Sequence, residues 1–172
     1  MQQLAGASAL RQFNTASPAQ AQAMIAPCAA IVAWQQALVA GRPYASEAEL
    51  LAQARELSEA WDADALAQAL QAHPRIGDKA RGDSVESALS RREQSAVNPG
   101  DAALARALAE GNARYEARFG RVFLIRASGR SGEEMLATLH RRLENDERQE
   151  VQEAIGQLRE ITMLRLQGVF TS

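Results

Sequence analysis

The sequence predicts an all-α protein: a single-domain helical bundle of about seven to nine helices over residues 1–172, with no independent sheet. Three observations predict it. Glycine–proline stops recur along the chain, at Gly41-Arg42-Pro43 and at Asn98-Pro99-Gly100, and Gly120 is a further stop. Ser46-Glu47-Ala48-Glu49 and Ser131-Gly132-Glu133-Glu134 have the spacing of capping boxes. Between these marks the apolar residues return every three or four positions, the period of a helix with one buried face. A length of 172 residues suits one domain, and such a chain can bury roughly 70% of its unfolded surface.

Taken in order, the first predicted helix runs from about Ala19 to Ala40 and ends at Gly41. The second opens at the Ser46 box and runs toward Trp61. Asp62 caps a third, which carries Leu66 and Leu70 up to His73. Pro74 disfavours the α region for the residue before it, so that helix stops at His73. A loop over 74–83 holds Gly77 and Gly82, and a helix over 84–97 follows. Asp101 to Phe119 is helical, and Arg121 to Ala127 is the one stretch of extended character, before a turn at Ser128-Gly129-Arg130. Another helix begins at the Ser131 box, and the last runs from about Asn145 to Val169. The N-terminal third is rich in Ala and Gln, without an internal repeat.

Composition removes several classes of function. A net charge of −2 lacks the basic excess of a nucleic-acid footprint, so no nucleic-acid partner is expected. The single cysteine, Cys28, has no internal disulfide partner and lies in an apolar run, which reads as a buried thiol. Met1 to Gly6 carries no basic residue, which argues against a secretory signal. The 12-residue apolar run Ala23–Trp34 is too short to span a bilayer. A cytoplasmic protein with no membrane partner is the expectation.

Helical phase singles out a few polar residues. One of only two histidines, His73, stands on a stiff corner between a helix end and Pro74, with Gly77 allowing a second turn. Imidazole is the side chain best suited to moving a proton near neutral pH. Over 84–97 the apolar stripe is Val85, Leu89 and Ala96, and Glu93 falls on it, flanked by Ser90 and Gln94 on one continuous polar face. In the last helix the stripe is Val151, Ala154, Ile155, Leu158, Ile161 and Val169, and Arg165 lies on the same side. Met163, Leu164 and Leu166 beside it suggest a turn buried all round. A buried carboxylate or guanidinium is costly unless it is paired or faces a polar pocket.

Bland readings stand next to these. Glu93 and Arg165 could form a structural ion pair between helices, and His73 could merely cap the last carbonyls of its helix. His140, followed by Arg141-Arg142, reads as a surface residue at a helix C-terminus. The turn Arg126 to Arg130 could be an anion nest of backbone amides. With His140 set aside, no cluster has metal-ligand spacing, no dinucleotide fingerprint occurs, and no nucleophile elbow is present. Spacing alone therefore gives a possible His/Glu/Arg pocket and no reaction.

Three strings go further: His73-Pro74-Arg75-Ile76-Gly77, then Ser90-Arg91-Arg92-Glu93-Gln94, then Arg114 through Ile125. Together they resemble the OHCU decarboxylase family, from the Phe13-Asn14 region to Arg165-Leu166. OHCU is 2-oxo-4-hydroxy-4-carboxy-5-ureidoimidazoline, the last unstable intermediate between urate and (S)-allantoin. The resemblance implies an all-helical, cofactor-independent enzyme, usually a homodimer. It implies that His73 is the catalytic histidine and Pro74 a substrate contact. It places the essential glutamate at Glu93 within the binding segment Ser90, Arg91, Arg92, Glu93 and Gln94. Ile125, Arg126, Ala127, Ser128 and Gly129 match a loop whose backbone holds the ring and ureido groups, although Arg126 departs from the small or thiol residue common there. Arg165 matches the C-terminal arginine, with Arg159 its rival, and helical phase favours Arg165.

That chemistry suits these residue types. Loss of carbon dioxide leaves an electron pair that the substrate ring itself delocalises, so neither pyridoxal nor metal is required. The protein has to orient the carboxylate, stabilise charge on the ring and protonate one face. The alternative is a non-catalytic helical module that binds a ureide or purine-like ligand in the same pocket.

Overall fold

The structure, a computed structural model, describes residues 2–71 and 101–171. Among them are eight α-helices, one 3₁₀ turn and no strand. They are α1 (Gln2–Thr15), α2 (Pro18–Ile25), the 3₁₀ turn (Ala26–Cys28), α3 (Val32–Ala40), α4 (Glu47–Ser58), α5 (Ala63–Leu70), α6 (Ala102–Phe119), α7 (Gly132–Arg142) and α8 (Glu147–Thr171). The all-α expectation holds. The predicted loop over 74–83 and helix over 84–97 lie outside the described residues.

The chain forms two compact units: Met1–Ala69 with Arg159–Ser172, and Leu70–Leu158. In the first, Phe13 meets Phe170 edge to face at 5.6 Å, and Trp34 meets Trp61 at 5.8 Å. The buried Trp34 indole N–H donates to the Ala54 carbonyl at 3.0 Å, which satisfies the one polar atom of that ring. Arg42 clasps the end of α1, donating from Nη1 to the Phe13 and Ala16 carbonyls. These are carbonyls that a helix end leaves without intrahelical partners.

Two readings of this unit are corrected. The run from Ala19 to Ala40 is not one helix, because Pro27 has no N–H and its ring clashes with the carbonyl four residues back. The chain breaks there into α2, the 3₁₀ turn and α3. The apolar content that suggested continuity reflects burial instead, with Ile25, Cys28, Ala29 and Ile31 all in the core. Leu164 is 42% exposed, so the turn around Arg165 is not buried all round, although Met163 and Leu166 are. Helix α1 has no N-terminal cap signal of its own and went unread among its Ala and Gln residues. Cys28 is buried, as expected.

In the second unit the cap at Ser131 and the stop at Gly120 fall where the sequence puts them, and Asp101, read as the first residue of its helix, is its cap. The Asp101 side chain accepts from the Leu104 amide, and Gly120 closes α6 in the left-handed region at φ 72°. Ser131 caps α7 by accepting from the Glu134 amide. The last helix starts two residues later than read, because Asp146 and Gln149 form a reciprocal capping box. On α6 the buried face is Leu104, Leu108, Gly111, Asn112, Tyr115 and Phe119, and on α7 it is Gly132, Met135, Leu139 and Arg142. A Cβ on Gly111 would run into the Leu139 side chain, so glycine is what lets α6 and α7 approach there.

Candidate active site

The residues from 120 to 131 join α6 to α7 without regular structure, and they contain the predicted binding loop. Phe123, Ile125 and Ala127 alternate into the same core as Tyr115, Met135 and Leu139. The extended character read from the sequence is the origin of that alternation, since successive side chains of an extended chain point to opposite sides. With the Ile125 and Ala127 side chains committed to the core, what these two residues can offer a ligand is main chain.

Two buried or half-buried side chains hold that main chain. Arg142 Nη1 donates to the Leu124 carbonyl at 2.8 Å, and Gln157 Oε1 accepts from the Arg126 amide at 2.8 Å. Further on, the Arg130 amide donates to the Ala127 carbonyl at 3.1 Å and closes a turn. Gly129 stands at its third position with φ 79°, which a type II turn demands and which side-chain-bearing residues resist. The Arg126 guanidinium folds over the turn and donates to the Ser128 carbonyl at 3.1 Å.

Arg142 is fully buried, as are Glu150 and Tyr115. Its Nε lies 3.0 and 3.1 Å from the two Glu150 carboxylate oxygens, its Nη2 pairs with the same carboxylate, and its guanidinium sits over the Phe123 ring at 4.6 Å. The Tyr115 hydroxyl donates to Glu150 as well. Burial first, and then the Glu150 carboxylate, push the Tyr115 phenol well above the ordinary tyrosine range. Asn145 bridges Glu150 to Glu153, and Arg141 holds Glu153 with two bonds of 2.8 and 2.9 Å. Sequence reasoning singled out no role for Arg142, which follows His140 in the chain. The signal was available, because Met135, Leu139 and Arg142 share one helical face. His140 itself is exposed, as expected.

Arg165 belongs to the other unit and is 4% exposed. Its Nη1 donates to the Pro27 carbonyl at 3.0 Å, so the helix break at Pro27 supplies the acceptor that orients it. Arg159, the rival, is half-buried, and its Nε is on the Ser58 carbonyl at 3.1 Å. His73, Pro74, Ser90, Arg91, Arg92, Glu93 and Gln94 lie outside the described residues, as does any Glu93–Arg165 pairing. A buried Glu–Arg pair of the kind weighed for those two does exist, formed by Glu150 and Arg142.

Two open clefts, of about 510 and 630 Å³, lie in the first unit, and neither is lined by a predicted site residue. The arginine of the first is Arg42, already committed to main-chain carbonyls. Among the described residues, no group of three His, Cys, Asp or Glu side chains could hold a metal ion, and no helix is long and apolar enough to cross a membrane.

Comparison with known proteins decides the family. The sequence model for OHCU decarboxylase matches residues 14–167. The chain belongs to the OHCU decarboxylase family. A 2-oxo-4-hydroxy-4-carboxy-5-ureidoimidazoline decarboxylase of Amia calva is 32% identical over 148 residues, covering 83% of this chain and 80% of the relative. The uric acid degradation bifunctional protein TTL of Arabidopsis thaliana is 39% identical over 108 residues. That match takes in 60% of this chain and only 33% of the plant protein. A crystal structure of OHCU decarboxylase in the presence of (S)-allantoin superimposes with TM-score 0.73 at 28% identity, over 86% of this chain and 96% of that one. An (S)-allantoin synthase shares the fold, with TM-score 0.66 at 16% identity over 93% of this chain and 53% of that one.

Proposed function

We propose that this chain removes carbon dioxide from OHCU and protonates the product on one face to give (S)-allantoin, with His73 as the proton donor. Family membership makes the protein a carboxy-lyase of urate degradation. The observation that carries the proposal is the family match across 14–167, together with likeness to a decarboxylase crystallised with (S)-allantoin. It runs through both units, which supports treating the chain as a single functional domain. A homodimer in the cytoplasm, with no cofactor, belongs to the same reading.

In this mechanism the substrate ring takes up the electron pair released with carbon dioxide. Glu93 accepts hydrogen bonds from ring or ureido N–H groups. Arg165 offers a planar pair of donors to a carbonyl or carboxylate, a geometry that lysine cannot reproduce. Its fixed position on the Pro27 carbonyl and its burial suit that task. Pro74, Ser90, Arg91, Arg92 and Gln94 complete the pocket, and Ile125 to Gly129 line it with main chain. The His73 imidazolium delivers the proton, help that is typically worth roughly 10²–10⁴-fold.

The test generates OHCU in situ from urate and follows both the rate of its loss and the handedness of the allantoin. The native protein should accelerate decarboxylation and give the S product. A pure binding module would leave the slow racemic background as it is. His73→Asn should abolish stereospecific turnover while melting close to the native protein. Arg165→Lys and Glu93→Gln should likewise damage turnover more than folding. A loss of about 3–5 kcal/mol of stability in either would instead mark a structural ion pair.

A further inference from the structure

We propose that Gln157 is a positioning residue, which works opposite Arg142 to fix the main chain at Ile125 for the substrate. The proposal rests on reading Ile125 to Gly129 as the substrate-facing segment. A residue's backbone has two soft dihedrals, and each is set by the peptide plane on one side of it. At Ile125 both planes are held. The plane before it is fixed through the Leu124 carbonyl by Arg142 at 2.8 Å, and the plane after it through the Arg126 amide by Gln157 at 2.8 Å. The Ile125 side chain, 2% exposed, is gripped by the core at the same time.

The two anchors differ in kind. Arg142 is immobilised by Glu150 on one side and by the Phe123 ring on another, so it serves as a rigid post. Gln157 is half-buried on the last helix and reaches the loop with a single amide oxygen. Removing Arg142 would strand a buried carboxylate, and its effects would spread through the whole unit. Gln157 carries no charge, so replacing it strands no buried countercharge, which makes it the informative position. A main chain that is ordered before the ligand arrives spares binding the cost of ordering it, so loss of Gln157 should weaken substrate binding before it slows chemistry.

Gln157→Met keeps the length of the side chain and loses the acceptor, whereas Gln157→Glu keeps an acceptor oxygen. Two readouts separate the questions. Residue-resolved amide exchange at Arg126, measured without substrate, reports the clamp itself. Steady-state kinetics on OHCU generated from urate report what the clamp does. Gln157→Met should speed Arg126 exchange about tenfold or more and raise KM about three- to tenfold, the scale of one hydrogen bond's net contribution, with kcat and melting temperature near native. Gln157→Glu should restore both.

Faster exchange with unchanged KM overturns the positioning role, and with it the reading of the segment as substrate-facing. Unchanged exchange, whatever KM does, overturns the clamp and leaves that reading standing. A Gln157→Glu variant no better than Gln157→Met moves any effect away from the acceptor oxygen and also overturns the proposal. The exchange measurement needs no turnover, so a failure of the proposed decarboxylation cannot be mistaken for a failure of the clamp.

Discussion

Arg142 and Arg165 both stand on apolar helical faces, and only one of them was legible. Arg165 is surrounded in sequence by Met163, Leu164 and Leu166, so its anomaly is visible within its own helix. Arg142 ends the polar string His140-Arg141-Arg142, which imitates the basic last turn favoured by the helix dipole. Its partner Glu150 lies in the first turn of another helix, eight residues on, and no periodicity within one element connects the two. Gln157 was less legible still, because a glutamine on a helix carries no sign that its oxygen will meet a backbone amide. At the edge of this network Glu153 has a measurable role. The bonds from Arg141 come first, and with Asn145 they hold its carboxyl down at about 2 against an ordinary 4.5. A depressed folded value stabilises the protein above the ordinary value and is lost as pH falls toward the folded one. Glu153→Gln should therefore melt below the native protein at neutral pH, by a gap that is constant above about pH 4.5 and closes toward about pH 2. Melts of the two proteins across that range would show it, and a gap indifferent to pH would refute it.

At the scale of elements, capping chemistry was the most readable part of this chain. Ser46, Asp62, Asp101 and Ser131 all cap helices, each accepting from the amide three residues on. Those signals are local, so the sequence displays them whole. The break at Pro27 was missed because buried apolar character on both sides outweighed the proline. Gly111 shows why packing is harder to read than capping. On pattern alone it is a helix-weakening glycine, yet it stands where α6 and α7 touch. Gly111→Ala should cost about 1–3 kcal/mol, since Leu139 would have to leave its place in the core. Gly156 has nothing within 4 Å of its missing Cβ, so Gly156→Ala should add about 0.5–1 kcal/mol by helix propensity. Chemical denaturation of both variants tests the pair of signs. The same sign for both would show that propensity, not contact, governs Gly111.

For the molecule as a whole, the fold class and family could be read from the chain, but the arrangement of the site could not. The motif strings around His73 and Glu93 carry the family likeness, whereas the main-chain loop at Ile125 is specified by side chains from α7 and α8. The expected chemistry predicts how the whole protein responds to chelation. The ring accepts the electrons released with carbon dioxide, so protein treated with a strong chelator should keep full stereospecific activity. Turnover that vanished on chelation and returned with zinc or manganese would replace the His73 mechanism with a metal-assisted one.

The Arg142–Glu150–Tyr115 cluster also bears on how this chain can evolve. Each member is tolerable in the core only because the others are there. Arg142→Met alone should lose about 3–5 kcal/mol, because it leaves the Glu150 charge uncompensated. Arg142→Met, Glu150→Leu and Tyr115→Phe made together should recover most of that loss, since a well-packed apolar set can replace a buried ion pair at little cost. Denaturation of the single and triple variants measures the difference, and simple additivity would disprove it. A drifting lineage changes one codon at a time, so it meets the deep valley before the far slope. Such a cluster persists as a ratchet: selection need not favour it over the apolar alternative, only forbid the first step away.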